Sequence, residues 1–216
     1  NPTGVIYPES SIVAIATALQ RAEEKYGTEI YMISDEPYRK LIYTDAPYPF
    51  IFNHHARSVV ATSHSKDLGL AGERIGYAAV NPNDPGKNDL MDALNFSLRT
   101  LGFVNAPALM QRAVASIQRA TVDIDIYRKK RDLLYGALTD IGYECVRPDG
   151  AFYLFPKSPI PDETEFVAQL QKELVLVVPG VGFGTPGFFR ASYCVEDWVI
   201  EGSIEGFRKV FAKANN

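Results

Sequence analysis

The chain of 216 residues carries 22 Lys and Arg against 26 Asp and Glu, a formal net charge of -4, with 46% hydrophobic and 22% charged residues. Such a composition excludes a disordered chain and offers no basic footprint for nucleic acid. No apolar run approaches the roughly 18 residues of a membrane span. Two cysteines, Cys145 and Cys194, cannot build a disulfide framework and read as two buried thiols in a reducing compartment. The length allows one large domain or two small ones.

Asn1-Pro2-Thr3-Gly4 is turn chemistry, and an Asn-Pro bond can be cis, with trans as the default. Pro8-Glu9-Ser10-Ser11 reads as a helix start. Ile12, Ile15, Ala16, Leu19, Ala22 and Tyr26 follow at helical spacing, and Gly27 closes the pattern. Glu29–Ser34 is a short apolar strand leading into Asp35-Glu36-Pro37-Tyr38. Ser58–Thr62 is a second strand and runs into Ser63-His64-Ser65-Lys66. Arg74–Val80 is a third. Helices are predicted at about 87–101 and 106–140, the second crossing from one domain to another. Beyond Gly142, strands are predicted at Tyr143–Val146, Ala151–Phe155, Leu174–Val178 and Phe188–Tyr193. A helix spans Glu163–Glu173, and a last one runs from Asp197, as N-cap, to Ala214. The first part is α/β with a parallel sheet, the second α+β. This divides the chain into 1–105, a linking helical region 106–140, and 141–216.

Ligands of open α/β sheets bind beyond the carboxyl ends of the strands. Asp35 stands at one such end. Ser63, Ser65 and Lys66 stand just past another, and Arg74 opens the third strand. Taken singly, an Asp after a strand is a turn former and a lysine is a solvated charge. Their conjunction and order carry the argument. His54, His55 and His64 have no partners at metal-ligand spacing, and His54-His55 reads as loop surface; no metal is expected. Glu23, Glu24 and Lys25 read as a solvated helix face, and Asp67 and Glu73 as structural.

Asn1-Pro2-Thr3-Gly4, Ser34-Asp35-Glu36-Pro37-Tyr38, Ser63-His64-Ser65-Lys66 with Gly72-Glu73-Arg74-Ile75-Gly76, Gly150-Ala151-Phe152-Tyr153 and Phe189-Arg190-Ala191-Ser192 together resemble the class I aminotransferases, pyridoxal-phosphate enzymes of the aspartate aminotransferase fold. The resemblance covers essentially the whole chain. It implies the rear half of a mostly parallel-sheet, cofactor-binding large domain, followed by an α+β small domain. It assigns Lys66 the Schiff base with the cofactor aldehyde and the later proton transfer. Asp35 pairs with the ring nitrogen, a contact that gains about 4 kcal/mol at 4 Å and an effective dielectric near 20, before desolvation. Tyr38 and Asn1 hydrogen-bond the phenolic oxygen. Ser63, Ser65 and Arg74 take the phosphate, Arg190 grips the substrate α-carboxylate, and Asn1 is counted with it among the substrate-binding residues.

Family members are considerably longer. The chain is therefore expected to be a C-terminal fragment, inactive by itself, of a cytoplasmic homodimeric transaminase acting on an amino acid and a 2-oxo acid. A carbon–sulfur β-lyase and the aminotransferase-like effector domain of a transcription regulator, with a DNA-binding region upstream, are the alternatives.

Overall fold

The first helix, α1 (Glu9–Tyr26), buries Ile12 and Ala16 and starts after Pro8, whose extended backbone needs no N–H there. Ser10 and Ser11 lie inside the helix. Gly27 ends it in the left-handed conformation, its N–H donating to the Glu23 carbonyl. The computed structural model describes residues 1–45 and 47–214. These divide into a first unit, Ile6–Lys40 with Asp45–Val122, and a second, Asn1–Val5 with Leu41–Thr44 and Asp123–Asn216.

In the first unit three strands, β1 (Met32–Asp35), β2 (Ser58–Ser63) and β3 (Gly76–Val80), form a sheet in that order. β1 and β2 run parallel, with Asp35 opposite Ala61. β2 and β3 run antiparallel, with Ser63 opposite Gly76. The sheet is thus not uniformly parallel. Between β2 and β3 the chain has only the single-turn α2 (His64–Asp67) and a 3₁₀ turn at Ala71–Glu73, with no long crossover helix to return it to the opposite end. Ile12, Ile51 and Val60 form the core here, with Met32, Phe50 and Phe52 packed against it.

His55, expected at the loop surface, is buried with Nε2 2.8 Å from the Ile30 carbonyl. Its neighbour His54 is 3.3 Å from the Glu9 carboxylate. Glu23 is also more than a solvated charge: its carboxylate accepts from the Ile30 N–H at 2.9 Å and pairs with Arg57 at 3.3 Å, tying the end of α1 to the start of the sheet.

α3 (Lys87–Thr100) buries no residue. The single helix expected over 106–140 is two, α4 (Ala108–Ser116) and α5 (Ile124–Ile141). The backbone between them is claimed by other partners: the Val122 N–H donates to the Asp67 carbonyl at 2.7 Å, and Asp123 caps α5 by accepting from the Asp125 N–H. The two units part at this break.

The second unit packs α5, α6 (Glu163–Lys172) and α7 (Asp197–Ala214) with a small antiparallel sheet. Its strands are β4 (Tyr153–Leu154), β5 (Val178–Pro179) and β6 (Phe189–Ser192), with β6 in the middle. All three are shorter than the sequence suggests. Residues 143–146 form no strand, because Tyr143 serves as a core ring. It meets Phe166, Phe189, Phe207 and Phe211, and its hydroxyl donates to the Phe207 carbonyl at 3.0 Å. Leu174 adopts a left-handed φ of 61° and is exposed, so the segment turns before β5 begins. Asp197 lies in the first turn of α7 rather than capping it, 2.9 Å from Lys130 Nζ.

The two thiols are not both buried. Ala191 and Tyr193 alternate inward, which leaves Cys194 exposed. Cys145 is half-buried, and burial pushes its thiol up to about 11. No helix among the described residues is long and apolar enough to cross a membrane.

Candidate active site

Strand directions decide which side chains share an end of the first unit's sheet. Parallel β1 and β2 bring Asp35 and the Ser63–Lys66 turn to the same end. Antiparallel β3 starts at that end, so Arg74, two residues before it, arrives there too. The tie continues past the strands. The Glu36 N–H donates to the Ala61 carbonyl at 2.7 Å, the Thr62 hydroxyl to the Glu36 carbonyl at 3.0 Å, and the His64 N–H to the Ile75 carbonyl at 3.0 Å.

Asp35 is exposed, on the same face of β1 as Ile33. Tyr38 lies in the turn that follows, half-buried like Ser63, Ser65 and Lys66. Arg74 is exposed and sits in the left-handed region, with φ 51° and ψ 47°; one of its guanidinium nitrogens donates to the Ala71 carbonyl at 2.9 Å. A long side chain held in that conformation costs about 1–2 kcal/mol, strain of the kind that clusters at functional positions. Gly76 allows the close approach: a Cβ there would lie 2.3 Å from the Thr62 carbonyl oxygen. A cavity of about 710 Å³ adjoins this end, lined by Thr62, His64, Arg74, Tyr77, Phe103 and Gln111 among others.

The Lys66 turn is anchored by Asp67, which the sequence reads as structural, and by His64 and Lys40, to which it gives no role. His64 is buried, its Nδ1 3.2 Å from the Asp67 carboxylate, and Lys40 Nζ lies 3.3 Å from the same carboxylate. Lys40 also donates to the Gln118 carbonyl at 2.9 Å. Lys40 stands 26 residues from Lys66 in sequence, so no local pattern could have marked it.

In the second unit the structure joins Asn1 to Arg190: an Arg190 guanidinium nitrogen donates to Asn1 Oδ1 at 3.2 Å. The Asn1-Pro2 bond is cis. Gly4, at φ 70°, fixes the end of this turn, and its carbonyl accepts from the N–H groups of Asp149 and Gly150, both at 2.9 Å. Arg190 lies on β6 with its guanidinium carbon 4.3 Å from the Tyr153 ring centroid and 4.4 Å from that of Phe183. Stacking orients the planar fork, and only one of its five donors is committed to Asn1. Tyr153 belongs to the Gly150–Tyr153 motif, which gives it no role, and Phe183 was not singled out in the sequence.

Residues 1–205 match the family model for aminotransferase class I and II. The chain belongs to this aminotransferase family. It is 36% identical to a probable aspartate/prephenate aminotransferase of Thermus aquaticus, over 96% of this chain and 53% of that protein. It is 32% identical to an aspartate aminotransferase of Bacillus subtilis, over 99% of this chain and 56% of that one. Among solved structures, an amino transferase from Eubacterium rectale superposes with a TM-score of 0.96 at 41% identity, covering all of this chain and 54% of the other. The chain thus spans about half the length of the curated relatives it matches.

Class I and II aminotransferases use pyridoxal phosphate, and this aminotransferase chain has a donor set that fits it. One sheet end offers a primary amine, a carboxylate, two hydroxyls and a guanidinium. Among the described residues no group of three or more His, Cys, Asp or Glu side chains gathers as a metal site.

Proposed function

We propose that this chain supplies the lysine-, aspartate- and arginine-bearing part of a pyridoxal-phosphate-dependent transaminase, which moves an amino group from an amino acid to a 2-oxo acid. The observation that carries the reading is the antiparallel β3, which gives Arg74 the same sheet end as Asp35 and Lys66. We assign residues 1–105 to a partial large cofactor-binding domain, 106–140 to an interdomain helical region and 141–216 to a small C-terminal domain. The functional protein is a cytoplasmic homodimer in this reading.

Pyridoxal phosphate, when bound, supplies the electron sink for charge developing at the substrate Cα. Lys66 would hold the cofactor through its amine, and that amine would serve as the base for the proton at the substrate Cα. Asp35 keeps a proton on the ring nitrogen. Arg74, Ser63 and Ser65 bind the phosphate, with charge-assisted hydrogen bonds worth about 1.5–3 kcal/mol each. Tyr38 and Asn1 donate to the phenolic oxygen. Arg190 grips the α-carboxylate with its stacked fork, and Asn1 orients it.

An amino-donor screen on a full-length protein containing this chain tests the proposal. Stoichiometric oxo-acid formation is expected, lost in Lys66→Ala and strongly reduced in Asp35→Asn and Arg190→Lys. Borohydride reduction with cofactor present should tag the Lys66 peptide. Release of pyruvate and ammonia without amino transfer, or a tag on another lysine, would overturn it.

A further inference from the structure

Glu163 is the first residue of α6 and is 4% exposed, yet it has no cation beside it among the described residues. Its partners are two backbone donors: the Val181 N–H to Oε1 and the Gly187 N–H to Oε2, both at 3.0 Å. These donors are the two ends of a glycine-rich loop, Gly180-Val181-Gly182-Phe183-Gly184-Thr185-Pro186-Gly187. The loop closes on itself through the Thr185 N–H to the Gly180 carbonyl at 3.0 Å. It is also stitched to the sheet by the Gly180 N–H to the Phe188 carbonyl at 2.7 Å. Gly184 and Gly187 hold left-handed backbone there. Its one ring, Phe183, is the ring that stacks on Arg190. That same ring meets Phe155 edge-on, with 6.2 Å between centroids.

We propose that Glu163 is a positioning residue for the carboxylate-binding arginine: its two oxygens clamp the loop at both ends, and the clamp holds Phe183 against the Arg190 guanidinium. The inference rests on the reading of Arg190 as the group that grips the substrate carboxylate. A glutamine at 163 retains one acceptor and turns an amide donor toward the other N–H, so one end of the clamp is lost. The loop can then move while the Asn1–Arg190 bond and the Tyr153 contact remain. The fork persists but is less constrained.

The test uses the full-length, cofactor-loaded protein, with propionate as a minimal carboxylate titrated calorimetrically and the donor's KM and kcat measured alongside. Arg190→Ala must abolish propionate binding; if it does not, the reading of Arg190 itself fails, whatever Glu163 does. Given that dependence, Glu163→Gln should weaken propionate and raise KM about tenfold. Its kcat should stay within about twofold of the parent, and Glu163→Asp should fall between the two. Phe183→Leu, which leaves the clamp intact, should weaken propionate in the same direction. Combining it with Glu163→Gln should add little, because both act through one contact. A Glu163→Gln protein with a lowered Tm but unchanged propionate affinity and KM would overturn the proposal. So would unchanged affinity in Phe183→Leu, which decides the matter even if the Glu163 variants do not fold.

Discussion

Replacing Gly4 with alanine separates fold from site in a way the structure makes quantitative. A non-glycine residue at this φ of 70° costs about 1–2 kcal/mol. The new Cβ would stand 2.6 Å from the Pro148 Cβ and 2.9 Å from the Gly150 carbonyl oxygen, neither of them the end of a flexible chain. Overpacking of that kind adds about 1–3 kcal/mol, for a total near 2–5 kcal/mol if the turn stays in place. The alternative is local release of the Asn1–Gly4 segment. This gives up the two hydrogen bonds from Asp149 and Gly150, about 2 kcal/mol together at the usual 0.5–1.5 each. Release also frees the exposed Arg190–Asn1 bond, about 0.5–1 kcal/mol more, and its total of about 2–3 kcal/mol is on average the lower of the two. The 148–151 turn itself stays held by the Ala151 N–H to the Leu41 carbonyl and the Tyr43 N–H to the Asp149 carbonyl. Gly4→Ala should therefore lower unfolding stability by about 2–3 kcal/mol while dissolving the Asn1–Arg190 contact. Urea denaturation reads the first quantity. Amide hydrogen exchange at Asp149 and Gly150 reads the second, with protection lost at both. Retained protection at these amides with an unchanged denaturation midpoint would refute the reasoning.

Other expectations follow from single features. Gly76→Ala places a Cβ 2.3 Å from the Thr62 carbonyl and 2.9 Å from the Ser63 Cα, backbone on both counts. It should cost at least about 3 kcal/mol, and a normally stable variant by urea titration would contradict the β2–β3 register. The Gly187 N–H, joined by that of Val181, holds the Glu163 carboxyl below its ordinary value of 4.5. Its stabilising contribution is thus fully present above that value and is lost as pH falls through the lower folded one. Denaturation midpoints should fall with acid below about pH 4.5 in the parent and fall less steeply in Glu163→Gln, where Asp132 and Asp162 still titrate; parallel profiles would refute the assignment. Phe96, Leu101 and Phe103 are 70%, 70% and 73% exposed, so the 216-residue chain should self-associate in sedimentation velocity, less so as Phe96→Glu; a monodisperse parent would contradict this.

Features under local chemical control can be read from the chain alone. The ends of α1 were legible because a proline before the first turn and a glycine after the last act within a few residues of themselves. Asp35, Lys66, Arg74 and Arg190 stand out in the sequence because the motifs that hold them are contiguous, and the family those motifs resemble is the one whose model matches residues 1–205. Tertiary structure decided what depends on partners far along the chain. The direction of β3 set which sheet end Arg74 reaches, and no residue of β3 encodes that direction alone. Tyr143 reads as a strand residue until four phenylalanines surround it. The 106–140 helix breaks because Asp67, more than fifty residues earlier, takes the Val122 N–H. Asn1 meets Arg190 across 189 positions, and Glu163 meets its loop across 18 and 24. Periodicity and capping report the backbone's nearest neighbours. Burial and hydrogen-bond satisfaction are settled only when distant segments supply the other half of each contact.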